Sequence, residues 1–115
     1  MKNELSITYR DFESTPALED AIRSRVEKLE HICDDIVSCH VILEEAHKHK
    51  HQGNLFSVHI DLTVPGKELA VTRSPDADHA HEDAYVAIRD AFESMRRQLT
   101  EYQQKRRGQV KRHDA

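Results

Sequence analysis

The chain has 115 residues, a length that suits one domain and is too short for two independent cores. Apolar residues make up 37% of the chain and are spread along it, which argues against intrinsic disorder, and no stretch is long enough to span a membrane. Because no apolar leader follows Lys2, and Cys33 and Cys39 form no CxxC pattern, we expect a cytoplasmic protein without a disulfide framework.

The first predicted elements are a strand and a helix. Apolar and polar residues alternate over residues 5–9, which predicts a strand with one buried face. A helix follows, because Ser14 or Thr15 suits the N-cap and Pro16 suits the first helical position. We expect this helix to end near His31. Its apolar stripe is formed by Leu18, Ile22, Val26 and Leu29.

Three further strands are predicted in the middle of the chain. Residues 36–45 are rich in β-branched side chains, and residues 55–64 alternate without a fault. The Pro65–Gly66 pair predicts a tight turn, after which Leu69 and Val71 indicate a shorter strand paired back on the third. The predicted inward residues of the two longer strands are Val37, Cys39, Val41, Leu43, Phe56, Val58, Ile60, Leu62 and Val64.

A polar connector over residues 74–83 precedes a second helix. Asp76 or Asp78 is the predicted cap, and the helix is expected from about residue 80 to about residue 107, with Gly108 as its stop. Its apolar stripe, at spacings of three and four, is formed by Tyr85, Ile88, Phe92, Met95, Leu99 and Tyr102.

The element order β-α-β-β-β-α predicts an α+β fold. A strand, a helix and a second strand suggest a right-handed crossover, and the remaining strands an antiparallel meander. Because each strand has one apolar face and each helix one apolar stripe, we expect two layers, with both helices on one face of a four-stranded sheet. The predicted domain covers residues 1–108, and a disordered basic tail covers residues 109–115.

The C-terminal portion is basic although the whole chain carries a net charge of −4. From Arg89 onward there are eight Lys/Arg against four Asp/Glu, whereas residues 1–88 carry nine against seventeen. A helical projection places Arg89, Arg96 and Arg107 along one flank of the second helix. Arg97 and Lys105 lie further round. Such a face is available to phosphates, although an ordinary solvated helix face has the same composition.

Two segments resemble a known family. YVAIRDAFESMRRQLTEYQQK, preceded by Asp83, resembles the second helix of the ribosome hibernation factors, the family of ribosome-associated inhibitor and hibernation-promoting proteins. RSRVEKLEH is similar to the first helix of that family, and the resemblance spans residues 5–107. Its most specific parts are Tyr85, Ala87 and Ile88, together with Arg97, Gln98 and Leu99.

The resemblance implies a fold related in shape to double-stranded-RNA-binding domains. It also implies a short family member, without the C-terminal dimerisation domain of the long forms. Members lodge in the small ribosomal subunit between head and body, where messenger and transfer RNA pass, and silence translation under stress without catalysing a reaction. The implied partners are the small subunit and its rRNA, with other hibernation factors as further partners. The resemblance leaves open whether single ribosomes are stabilised or paired.

The resemblance also implies which side chains contact rRNA. By position it assigns that role to Arg25, Lys28, Arg97 and Lys105. The helical projection adds Arg89, Arg96, Arg106 and Arg107. Family members often have lysines where this chain has Ser94, Glu101 and Gln103, which predicts weaker binding and a flatter salt dependence.

The stretch EEAHKHKHQGNL lies between the second and third strands and places His47, His49 and His51 at every second position. Residues two apart in extended chain point to the same side, where three imidazoles are able to bind zinc, copper or nickel. Alternatively, protonated histidines together with Lys48 and Lys50 would contact RNA phosphate as the pH falls. A polar hairpin end with neither role has the same composition, so we assign no metal site.

The sequence also bears on two other classes of function. An enzyme is not expected, because neighbouring acidic residues and the His59–Asp61 pair assemble no nucleophile, base and orienting group. No cofactor is expected, since glycine-rich phosphate loops are missing. The alternative function is a regulatory protein-binding module on the same fold. It would use the outward sheet residues His40, Glu44, Ser57, His59, Asp61 and Thr63.

Overall fold

A computed structural model describes residues 4–11, 13–47, 54–74 and 83–113, and its elements follow the predicted order. The strands and helices in chain order are β1 Glu4–Arg10, α1 Pro16–Ile32, β2 Ser38–His47, β3 Asn54–Val64, β4 Lys67–Arg73 and α2 Ala84–His113. Within the described ranges, neither helix is long and apolar enough to cross a membrane.

The four strands form one mixed sheet in the order β1-β2-β3-β4. β1 and β2 are parallel, with Leu5 opposite Cys39, which requires a crossover that α1 supplies. The β2–β3 and β3–β4 pairs are antiparallel, so that Val41, Ile60 and Val71 lie in register across the sheet. The predicted α+β architecture is therefore confirmed.

One core lies between the sheet and the two helices. The inward residues of β2, β3 and β4 share it with the apolar stripes of α1 and α2. The α1 stripe is confirmed at all its predicted positions. In α2, Tyr102 is half-buried and the first-turn prediction is wrong: Tyr85 is 46% exposed, because Ala84 and Ala87 take the inward positions.

The inward assignment of Val37 is wrong. β2 begins at Ser38, and Val37 precedes it with 49% of its surface exposed, whereas Ile36 is buried. The Val37 N–H donates to the Thr63 carbonyl at 2.8 Å, so its backbone is bonded while its side chain faces solvent. Alternation predicts sidedness within a strand and does not extend past its end.

Both helix starts have a side-chain cap. The Thr15 hydroxyl accepts from the Leu18 N–H at 3.1 Å, which confirms one of the two predicted caps of α1. At α2 the Asp83 carboxylate accepts from the Val86 N–H at 2.9 Å. The start predicted near residue 80 is therefore corrected to Ala84, and the predicted caps Asp76 and Asp78 lie outside the described residues.

Gly66 and Gly108 behave differently. Gly66 has a φ of 84°, the left-handed value that the predicted Pro-Gly turn requires. Gly108 does not end α2, because its backbone remains helical to His113. The tail predicted to be disordered from residue 109 is therefore helical in its backbone as far as His113. A glycine with negative φ inside a helix costs only about 1 kcal/mol relative to alanine, and no proline follows to force a stop.

Candidate nucleic-acid interface

α1 and α2 lie side by side and run in the same direction. Two contacts join them, Arg25 with Glu93 at 3.8 Å and Gln103 with the Ile32 carbonyl at 3.2 Å. A third, Arg106 with Asp35 at 3.5 Å, continues the same rising order in the loop that follows α1. Because Lys28 lies one turn beyond Arg25, it is on the side of α1 that faces α2. Arg25, Lys28 and Arg106 therefore lie near the boundary between the two helices.

Half of the eight predicted cations contact carboxylates of the chain itself. Arg96 donates twice to one oxygen of Glu93, at 2.9 and 3.2 Å, and Arg25 approaches the other oxygen of that residue. Arg89 contacts its neighbour Asp90 at 3.2 Å, and Arg106 contacts Asp35. These pairs are exposed or half-exposed, so that solvent screens them.

Glu93 connects the two helices electrostatically. The hydrogen bonds from Arg96, and then the charges of Arg96, Arg25 and Arg97, hold the pKa of its carboxyl below the ordinary value. Glu93 is therefore ionised at neutral pH and offsets part of the positive charge on this side.

The other four predicted cations have no carboxylate partner among the residues that the structure describes. We call Lys28, Arg97, Lys105 and Arg107 the open cations; all four are exposed. Arg97 donates to the Ser94 hydroxyl at 3.2 Å, so it keeps its charge without a direct ion pair to a carboxylate of the described residues. The open cations are the side chains best placed to meet an external anion.

The open cations lie on two sides of α2 rather than along one ridge. Gln98, next to Arg97, donates to the Ala70 carbonyl of β4 at 3.1 Å. Lys105 shares a shallow cavity with Lys67 and Leu69 of the same strand. Lys105 thus belongs to the β4 side of α2, whereas Lys28 of the other helix belongs to the α1 side. The positive surface wraps around α2.

Lys67 and Tyr102 belong to this surface and were missed by sequence reasoning. The Tyr102 hydroxyl donates to the Pro65 carbonyl at 2.8 Å, and the Lys67 ammonium lies 5.9 Å from the centre of its ring. Arg106 lies 5.4 Å from the same ring. A helical projection of α2 does not show that a lysine of β4 lies beside one of its side chains.

The histidine stretch contributes little to the described geometry. β2 and β3 remain paired as far as His47 opposite Asn54, but the side chain of His47 and all of His49 and His51 lie outside the described residues. Over the described ranges no group of three potential metal-ligating residues is found. Cys33 and Cys39 are buried free thiols, and the inward position predicted for Cys39 is confirmed.

The outward sheet face carries polar side chains that bond to one another. His59 contacts the Thr72 hydroxyl at 2.6 Å and the Asp61 carboxylate at 3.0 Å, and His40 contacts the Thr8 hydroxyl at 3.1 Å. This is the surface that a protein-binding module would use. Its polar groups are already partly satisfied within the sheet.

Comparison with known proteins agrees with this fold. "Ribosome-associated factor Y" of Haemophilus influenzae is 29% identical over 101 residues, which cover 88% of this chain and 83% of that protein.

Two solved structures show the same fold. A ribosomal subunit interface protein from Coxiella burnetii superposes with a TM-score of 0.69 at 18% identity, over 87% of this chain and 97% of that one. The N-terminal domain of Thermus thermophilus Protein Y gives a TM-score of 0.67 at 24% identity, over 84% and 94%.

The family model described as Sigma 54 modulation protein / S30EA ribosomal protein matches residues 5–107, the same span as the resemblance seen in the sequence. The chain therefore belongs to the Sigma 54 modulation protein / S30EA ribosomal protein family, the family of the ribosome hibernation factors.

Proposed function

We propose that this protein is a cytoplasmic ribosome hibernation factor that binds rRNA of the small subunit, in the channel for messenger and transfer RNA. By occupying that channel it lowers translation under stress. Family membership supports a ribosomal partner, since one relative is named as ribosome-associated and a similar structure as a ribosomal subunit interface protein. The family is not known for enzymatic activity, and the proposed role is binding alone.

One observation carries the RNA part of the proposal. Residues 96–107 of α2 hold five Arg/Lys and one acidic residue, Glu101, in a chain whose net charge is −4. Three of those five are open cations, namely Arg97, Lys105 and Arg107. This local excess presents positive charge to phosphates although the whole chain is acidic.

The geometry suits recognition of RNA shape rather than of bases. The open cations lie on two packed helices and on more than one side of α2, an arrangement that fits phosphates on more than one strand. Binding of this kind depends on counterion release and is therefore steeply salt-dependent. The bound protein would exclude messenger and transfer RNA by occupying their space.

The test is co-sedimentation with purified small ribosomal subunits over a salt series. The variant Arg97→Gln/Lys105→Gln removes two open cations, and the matched control Arg10→Gln/Arg23→Gln removes two exposed cations of β1 and of the far side of α1. The first variant should flatten the slope of log affinity against log salt by about 1.4–1.8, and the control should not.

Two outcomes would contradict the proposal. If both double variants keep the wild-type slope, RNA is not held by the open cations. If the wild-type protein is retained on small subunits with little dependence on salt, the protein-binding alternative through the sheet face is favoured instead.

A further inference from the structure

Three cations from two separate parts of the chain meet around Tyr102. Lys67 is the first residue of β4, and Lys105 and Arg106 belong to the later turns of α2. Lys67 and Arg106 lie 5.9 and 5.4 Å from the centre of the ring. Lys67 and Lys105 face one shallow cavity of about 120 Å³, whose other lining residues are Leu69, Gln98, Glu101 and Tyr102.

This arrangement is held in place by bonds between the strand and the helix. The Tyr102 hydroxyl donates to Pro65 in the β3–β4 turn at 2.8 Å, and the Gln98 amide donates to Ala70 in β4 at 3.1 Å. The positive φ of Gly66 keeps the turn tight, so that Lys67 follows directly beside the ring. The backbone positions from which the three cations project are therefore fixed relative to one another before any ligand binds.

The charge around Tyr102 is not balanced by the residues that the structure describes. Glu101 is the acidic residue in the cavity lining, and Arg106 also contacts Asp35 at 3.5 Å, where both side chains are about two-fifths exposed. Lys67 and Lys105 have no carboxylate contact among the described residues. Like charges held close together repel, and an anion placed between them relieves that repulsion.

We propose that Lys67, Lys105 and Arg106 form a phosphate cradle around Tyr102, which binds the sugar–phosphate backbone of RNA. The inference rests on the proposed function and extends it, because the RNA contact then continues from the helices onto the β3–β4 turn. Since Lys67 and Arg106 lie near the ring and its hydroxyl is bonded to Pro65, the cradle takes a phosphate rather than a stacked base.

The experiment uses the full chain with the Lys67→Gln variant, in the same salt series with small subunits. Lys67 is exposed and at a strand end, so the variant should fold, which its melting temperature checks. We expect the slope of log affinity against log salt to flatten by about 0.7–0.9 and affinity near physiological salt to fall several-fold. Lys67→Arg should restore both quantities, and the single control Arg10→Gln should change neither.

The outcomes separate the cradle from the proposed function. If Lys67→Gln matches the wild type while Arg97→Gln/Lys105→Gln loses affinity, the cradle is wrong and the helix interface stands. If both variants match the wild type, the cradle and the RNA interface are wrong together. If inorganic phosphate protects the Lys67 amine from acylation as well as RNA does, the site is a general anion site and the RNA cradle is overturned.

Discussion

Replacing Glu93 with Gln should strengthen RNA binding. The Glu93 carboxylate accepts two hydrogen bonds from Arg96, at 2.9 and 3.2 Å, and lies 3.8 Å from Arg25. An approaching phosphate must compete with that carboxylate for both guanidinium groups. Glutamine has nearly the same shape and no charge, so both arginines become available to RNA.

The expected magnitudes follow from exposure and from the number of pairs. Glu93 is 41% exposed and its partners Arg25 and Arg96 are 27% and 49% exposed, so each pair should contribute no more than about 0.2–1 kcal/mol to stability. The variant should therefore melt only a few degrees lower, on the order of 2–6 °C. Up to two additional phosphate contacts would steepen the slope of log affinity against log salt by as much as about 1.8.

The assay is binding to small subunits between low and moderate salt, beside a matched Glu19→Gln control. Glu19 pairs with Arg23 at 3.1 Å on the far side of α1, so the control raises the net charge equally without releasing a cation toward α2. Tighter binding by Glu93→Gln alone supports competition. Weaker binding would contradict this prediction, because it would mean that Glu93 positions Arg25 and Arg96 for RNA.

Three predictions concern stability and reactivity. The hydrogen bond from the Cys33 thiol is the main cause that lowers the pKa of Asp35, and the hydrogen bonds from Arg96 are the main cause for Glu93. Each ionised carboxylate stabilises the fold above its unfolded pKa, and this stabilisation is lost as the pH falls through the lower folded pKa. The melting temperature should therefore decrease once the pH is lowered beneath about 4.5. A melting temperature unchanged down to about pH 3 would contradict this. Burial raises the pKa of Cys33 to about 11 and of Cys39 to about 12, so a thiol reagent at pH 8 should react only as the protein unfolds. Gly66→Ala should lower the free energy of unfolding by about 1–2 kcal/mol in denaturant titration, since φ is 84° there.

The fold was predictable because its signals are local. β3 is buried on one face at every second residue from Val58 to Val64, and α1 is capped by one of the two candidate residues. The errors occur at the ends of elements, where a residue's local preference is not strong enough to decide the backbone conformation. Gly108 is an example: the sequence predicts that α2 ends there, but a glycine inside a helix lowers stability only slightly, and the helix continues through it.

The candidate site was less predictable because its electrostatics are tertiary. A helical projection correctly places Arg96 on the surface, yet it does not show that Glu93 also reaches Arg25 on the other helix. Lys67 is separated from Tyr102 by the rest of β4, the connector and more than half of α2, and no sequence period links them. Which cations are compensated is therefore decided by packing.

The salt slope of the wild-type protein offers a count of the cations that RNA engages. If the ion pairs of Arg25, Arg89 and Arg96 stay closed while Arg106 leaves Asp35 for RNA, the four open cations, Lys67 and Arg106 make six contacts, for which the slope on duplex nucleic acid should be about −5. If those pairs open, all nine cations contribute and the slope approaches about −8. A value near the steeper limit would mean that the carboxylates of Glu93 and Asp90 do not restrain their arginines. Glu93→Gln would then leave the salt slope nearly unchanged, since both guanidinium groups already contact RNA in the wild-type protein, but it would still raise affinity because no ion pair has to open.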